Sequence, residues 1–137
     1  MATLAQKLGI APGHTILLLD APPASAGLLV SECPHAECMS THHAGRRYDA
    51  VFFWPTTGEG LAARFATLQR RIVPAGAVWA VIPKKPIAQR RGIALTWEEL
   101  QAAGLRTDLV DNKIVSLSAE EYATRFVIRK DRRARYG

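Results

Sequence analysis

Three uninterrupted apolar runs constrain this chain more than any other feature. They are His14–Asp20 (HTILLLD), Asp49–Trp54 (DAVFFW) and Ala77–Ile82 (AVWAVI). A half-buried strand alternates apolar and polar residues, whereas a run without alternation is a strand covered on both faces. Helices must lie on both sides of such a sheet, so the pattern predicts a three-layer α/β domain with a mostly parallel sheet. At 137 residues the chain suits one domain. The runs are also far too short to cross a membrane.

Punctuation between the runs supplies the rest. Thr3 caps a short helix over Thr3–Leu8 that Gly9 ends. Ala24–Val30 reads as a helix and Glu37–Thr41 as a short strand. Thr56 and Glu59 have capping-box spacing, which starts a helix there. Leu61, Phe65, Leu68 and Ile72 recur along one face of it, and Pro74-Ala75-Gly76 should stop it. Pro83–Ala94 reads as a basic loop. Thr96 and Glu99 form a second capping box, with Gly104 at the far end of that helix. Lys113–Leu117 and Thr124–Ile128 read as a closing antiparallel pair. Asp111-Asn112-Lys113 is then a turn entering the first of them.

Charge is uneven. The net charge is +6, of which residues 129–137 carry +4. A short basic end of this kind is expected to be a solvated, frayed tail beyond a domain spanning 1–128, rather than a nucleic-acid grip. Two cysteines do not make a disulfide framework, and residues 1–30 lack the pattern of a secretory leader, so a cytoplasmic protein is expected.

Several of these phrases resemble class I S-adenosylmethionine-dependent methyltransferases. HTILLLD followed by a bend is similar to their first strand, and Tyr48–Trp54 to their fourth. Arg71–Trp79, with its Pro74-Ala-Gly76, is similar to the entry into their fifth, and the closing hairpin to their sixth and seventh. The whole chain also resembles a family of short bacterial proteins of unknown function. That likeness rests on Lys7–Ile10, Pro83–Lys85, Val110–Lys113 and Arg125-Phe126-Val127. Both resemblances imply a Rossmann-like, methyltransferase-like fold, here expected to be truncated, because the chain leaves no room for a third strand and its helix before Asp49.

The departures concern the cofactor. The resemblance implies a glycine-rich turn after the first strand and an acidic residue after the second. Here the turn is Asp20-Ala-Pro-Pro-Ala-Ser-Ala-Gly27 and the second position is Ser40-Thr41-His42-His43. Prolines fix φ and remove N–H donors where glycine would let the backbone approach a ligand. The expected function is therefore a non-catalytic binding or interaction module, with a protein partner or a small anionic ligand and no resident cofactor. The alternative is a divergent S-adenosylmethionine-dependent methyltransferase.

Open α/β sheets bind ligands outside the carboxyl ends of their strands. That rule gathers Asp20, Thr56, Thr57, Lys84 and Lys85 as candidate contacts, with the helix start near Thr57 favouring an anion. A second group is Cys33, His35, Cys38, His42 and His43, whose thiols and imidazoles suit zinc. The favoured reading of the same segment is a polar loop with two ordinary thiols, and a small zinc-binding protein is a third alternative. No nucleophile elbow and no P-loop occur. A sheet edge left open by a lost third strand would also offer a homodimer contact.

Overall fold

The computed structural model describes residues 2–137. After helix α1 (Leu4–Lys7) come strand β1 (Thr15–Leu19), helix α2 (Pro23–Glu32), strand β2 (Glu37–Met39) and strand β3 (Tyr48–Phe53). Helix α3 (Leu61–Leu68) and one 3-10 turn, Gln69–Arg71, lead into β4 (Ile72–Pro83). Helices α4 (Lys85–Arg91) and α5 (Trp97–Leu105), strands β5 (Leu109–Ser116) and β6 (Glu121–Ile128), and a 3-10 segment, Lys130–Tyr136, complete it.

The six strands form one sheet in the order β2-β1-β3-β4-β6-β5. β1 pairs in parallel with β2 and β3, and β3 with β4, while β6 is antiparallel to both β4 and β5. Successive side chains on a strand point to opposite faces, so each apolar run feeds two cores. Leu17, Val78, Ala80 and Ile82 pack with Phe65, Leu68 and Leu100 of α3 and α5. Ile16, Leu18, Trp79 and Val81 pack with Leu8 and Leu29 on the α1–α2 side. The expected three-layer, Rossmann-like α/β architecture is thus the observed one.

Several local expectations are corrected. The Thr56–Glu59 capping box does not form. Thr57 Oγ1 instead accepts from the Glu59 N–H at 3.2 Å, and α3 starts after Gly60, which has φ +67°. Gly58 and Gly60 flank Glu59, and glycine favours a turn over a first helical turn. Pro74 does not stop the helix, which has ended by Leu68; it lies inside β4, where an excursion interrupts the pairing with β3. The loop expected at Pro83–Ala94 contains α4, with Pro86 near its start and Gly92 at φ +68° closing it. This is the ordinary asymmetry of proline at the start and glycine past the end. Asp111-Asn112-Lys113 is no turn; it is a bulge within β5.

Gly104 is the last residue but one of α5, at the end where it was expected. Its role is close approach, since a Cβ there would lie 2.4 Å from Cε2 of the Phe126 ring.

Residues 129–137 do not fray. Tyr136 is buried in the α3–α5 core and its hydroxyl donates to Asp108. Arg132 and Arg135 reach the same carboxylate at 3.2 and 3.4 Å. Asp108 is held below the usual carboxylate range, chiefly by the Tyr136 hydrogen bond and then by the two arginines against the opposing effect of burial. The Tyr136 phenol is pushed up to about 12, first by burial and then by Asp108. The folded chain therefore keeps a proton that the unfolded chain releases near pH 10. This contribution to stability is whole below pH 10 and disappears as the pH rises to about 12. Replacing Tyr136 with Phe should cost about 1 kcal/mol at neutral pH. It should also flatten the alkaline decline expected in urea unfolding between about pH 9 and about pH 11.5. An equally steep decline in the variant would assign that decline to other groups.

Candidate functional site

The order β2-β1-β3 makes β1 the point where the chain reverses its direction across the sheet. From β1 it passes through α2 to β2 on one side; from β3 it passes through α3 to β4 on the other. Crevices at the carboxyl ends of the strands on either side of such a reversal are where open α/β sheets take ligands. A cavity of about 260 Å³ lies there, lined among others by Asp20, Trp54, Thr56, Thr57, Gly60 and Arg64.

Each wall has a local cause. Asp20 ends β1 with φ +54°, a left-handed conformation that aspartate tolerates better than most side chains. That single residue makes the bend that the resemblance assigns to glycine, and it leaves the carboxylate exposed. Pro22 and Pro23 then open α2 without a side-chain cap. Trp54 follows β3, and its Nε1 is buried with no partner in the structure. Thr56 and Thr57 lie in the exposed turn leading to α3. Arg64, one turn into α3, sets its guanidinium 5.6 Å from the centre of the Phe53 ring. The sequence places Arg64 off the apolar face of its helix and gives no hint that it borders the crevice.

Asp20, Thr56 and Thr57 therefore come together as expected, but Lys84 and Lys85 do not join them. Phe53, the last residue of β3, is level with Ala80 of β4, so Lys84 lies about 13 Å farther along the strand direction. Lys84 Nζ donates to Ser116 Oγ at 2.9 Å. Lys85 borders a different cavity of about 310 Å³ with Trp97 and Tyr122. Another polar pair was not legible. Glu121, buried at the start of β6, accepts a hydrogen bond from Ser25 Oγ and so ties α2 to the antiparallel half of the sheet.

The Cys33–His43 donors do not assemble. Cys33 is buried in the α1–α2 core and Cys38 packs at its border. Burial pushes the thiols of both upward, and the neighbouring Cys38 and Glu32 push Cys33 further. That is the reverse of what a thiolate ligand needs. His42 sits by Tyr48, whose side chain belongs to the opposite core, with ring centres 5.8 Å apart. Its imidazole is held below its usual value by burial and then by Arg71 and His43. Among the described residues no three His, Cys, Asp or Glu side chains cluster in a way that could hold a metal ion. Nor is any described helix long and apolar enough to cross a membrane.

No protein-family model matches the chain, and no curated protein matches it in sequence. Solved structures do match its shape. A TehB-like S-adenosylmethionine-dependent methyltransferase from Corynebacterium glutamicum superposes at TM-score 0.56 and 12% identity, covering 88% of this chain and 83% of that one. The N-methyltransferase NodS from Bradyrhizobium japonicum superposes at 0.58 and 12%, covering 93% and 92%. A protein from Pyrococcus horikoshii superposes at 0.62 and 9%, covering 92% and 86%. At these identities the likeness speaks for architecture alone, and on that ground the chain has the Rossmann-like fold of the class I S-adenosylmethionine-dependent methyltransferases.

Proposed function

We propose that the chain binds S-adenosylmethionine in the crevice between β1 and β3 and is a divergent methyltransferase dependent on it. The observation that carries this reading is the cavity at the chain reversal, with the exposed Asp20 and the residues Thr56 and Thr57 in its wall. The fold neighbours favour it over a non-catalytic module, and one of them, NodS, is known in complex with S-adenosyl-L-homocysteine.

The residues present fit the cofactor by a route of their own. Asp20 makes the bend without glycine, and its carboxylate accepts hydroxyl or ammonium protons of the ligand. Thr56 and Thr57 supply hydroxyls that both donate and accept. Trp54 also borders the crevice. The proline start of α2 supplies fewer N–H groups than a glycine turn, and β2 is followed by Ser40 and not by a carboxylate. Binding is therefore expected to be weaker than a glycine-rich turn gives. When bound, S-adenosylmethionine supplies a methyl group activated for transfer.

Calorimetric titration of S-adenosylmethionine and of S-adenosylhomocysteine into the full chain tests this. Dissociation constants of about 1–100 μM, roughly −8 to −5.5 kcal/mol, are expected. Asp20→Ala should weaken binding by roughly tenfold or more, about 1.4 kcal/mol. No heat up to millimolar ligand would remove the reading, and unchanged affinity in the variant would remove Asp20 from the site.

A further inference from the structure

An open groove of about 610 Å³ lies where β3 and β4 begin, at the opposite end of the sheet from the crevice. One wall is the loop before β3, which carries Arg46 and Arg47. The other is the last turn of α3 and the 3-10 turn after it, which carry Thr67, Arg70 and Arg71. No carboxylate lines the groove. Arg46, Arg47 and Arg70 are exposed and Arg71 is half-buried, so all four reach solvent.

The first wall is held in shape by its own contacts. Gly45, at φ +79°, and a bond from the Arg46 N–H to the His43 carbonyl at 3.0 Å turn the loop back towards the sheet. The His43 N–H donates to the Tyr48 hydroxyl at 3.2 Å, which ties the turn to a fully buried side chain. The Arg46 guanidinium lies 5.9 Å from the centre of the Tyr48 ring and pairs with Glu37 at 2.8 Å. Arg47 donates to the backbone carbonyl of Tyr136, so the folded end of the chain fixes its place. Among the described residues Arg47, Arg70 and Arg71 meet no carboxylate. Three of the four arginines in the groove are therefore without a counterion from the protein.

A groove lined by one sign of charge concentrates the opposite sign. Guanidinium presents a planar fork of donors that matches phosphate oxygens. Protein partners anchor on aromatic and apolar side chains, and Ala66 is the one apolar side chain in this lining. A bilayer or a duplex is too broad to follow a groove of this size. A single polynucleotide strand fits, because it brings successive phosphates to arginines on both walls. We propose that the groove binds the phosphate backbone of a single-stranded nucleic acid, with Arg47, Arg70 and Arg71 on its phosphates. His42 is the only ring in the lining and is half-buried, so the bases stay in solvent and sequence is not read. The basic end of the chain is not itself the grip; it serves by holding Arg47. The groove stands apart from the crevice between β1 and β3 and does not depend on what binds there.

Fluorescence anisotropy of labelled oligouridylate and oligothymidylate, titrated with the full chain, tests it. Dissociation constants of about 1–100 μM are expected near physiological salt, with the tighter of the two naming the source of the strand. Affinity should fall with salt at a logarithmic slope of about −2, as three phosphate contacts require. Arg70→Ala combined with Arg71→Ala should weaken binding by roughly tenfold or more. Lys85→Ala combined with Arg90→Ala removes the same charge beyond the other end of β4 and should change affinity less than about threefold. Equal weakening by the two pairs would reduce the attraction to net charge and overturn the site. Absence of binding to both oligomers at low salt would overturn the proposal. So would tighter binding to duplex DNA or to phosphatidylserine vesicles than to either oligomer. Should the Arg70 and Arg71 variant not fold, the salt slope and the preference over duplex and vesicles in the natural chain decide.

Discussion

Phe65→Ala lowers the unfolding free energy by about 3–5 kcal/mol, the cost of removing a large aromatic side chain from a closed core. Phe65 is fully buried on the inner face of α3. Its ring meets Phe53 edge-on at 5.2 Å and Phe126 at 4.6 Å, so it joins the end of β3 to the middle of β6. Aromatic pairs at these distances add about 0.5–1.5 kcal/mol beyond the area they bury. Phe65→Leu keeps most of the volume and should cost roughly half as much. Urea unfolding at 25 °C measures both. A loss below about 1 kcal/mol in Phe65→Ala would mean that α3 collapses onto the sheet and fills the space.

Gly104→Ala destabilises the protein even though alanine is the best helix former. On propensity alone the change would gain about 1 kcal/mol in a helix interior. Here the new methyl would sit 2.4 Å from Phe126 Cε2 and 2.8 Å from Cδ2. That ring is itself fully buried and packed against Phe65, so it cannot swing away without opening the core. Overpacking of this kind costs about 1–3 kcal/mol, which after the propensity gain leaves a net loss of up to about 2 kcal/mol. Adding Phe126→Leu to Gly104→Ala should recover part of that loss, a coupling of about 1 kcal/mol in a double-mutant cycle. Additive effects of the two changes would show that α5 and β6 are not in contact as described.

These two positions also mark how far the sequence can be read. The periodicity of Leu61, Phe65 and Leu68 identifies the buried face of α3, because it is local and helical. Gly104 reads as a helix end, which it is, but its close approach to Phe126 is not legible, because that residue lies on another element and leaves no trace nearby in the chain. The same division runs through the whole molecule. The doubly buried strands were legible because burial on both faces removes every polar residue from the run. The Thr96–Glu99 box formed and the Thr56–Glu59 box did not, although the spacing is identical. What differs is the pair of glycines around Glu59, which lets Gly60 take the left-handed turn that starts α3. Helix α4 was missed because Lys85–Arg91 shows no apolar face, though Pro86 and Gly92 bracket it in the usual way.

At the crevice, Asp20, Thr56 and Thr57 were found because strand ends can be counted from the runs themselves. Lys84 and Lys85 were misplaced because the register between strands cannot be read from the runs. Phe53 at the end of β3 is level with Ala80, so β4 runs on to Pro83 and carries the lysines past the crevice. Trp79 and Arg125 become neighbours only through the pairing of β4 with β6, which no motif announces.

The length of β4 has one more consequence, for how the molecule loosens short of unfolding. β4 is bonded on one side to the parallel strands and on the other to the antiparallel pair, and both cores rest on it. β2, three residues long with one neighbour, is the opposite case. Partial openings start where few buried contacts must break. They begin at β2 and the turn that follows it and reach β4 last. The crevice sits at the carboxyl end of β3, the parallel neighbour of the strand that opens last. Loosening at the outer edge of the sheet therefore leaves the β3 wall of the crevice in place.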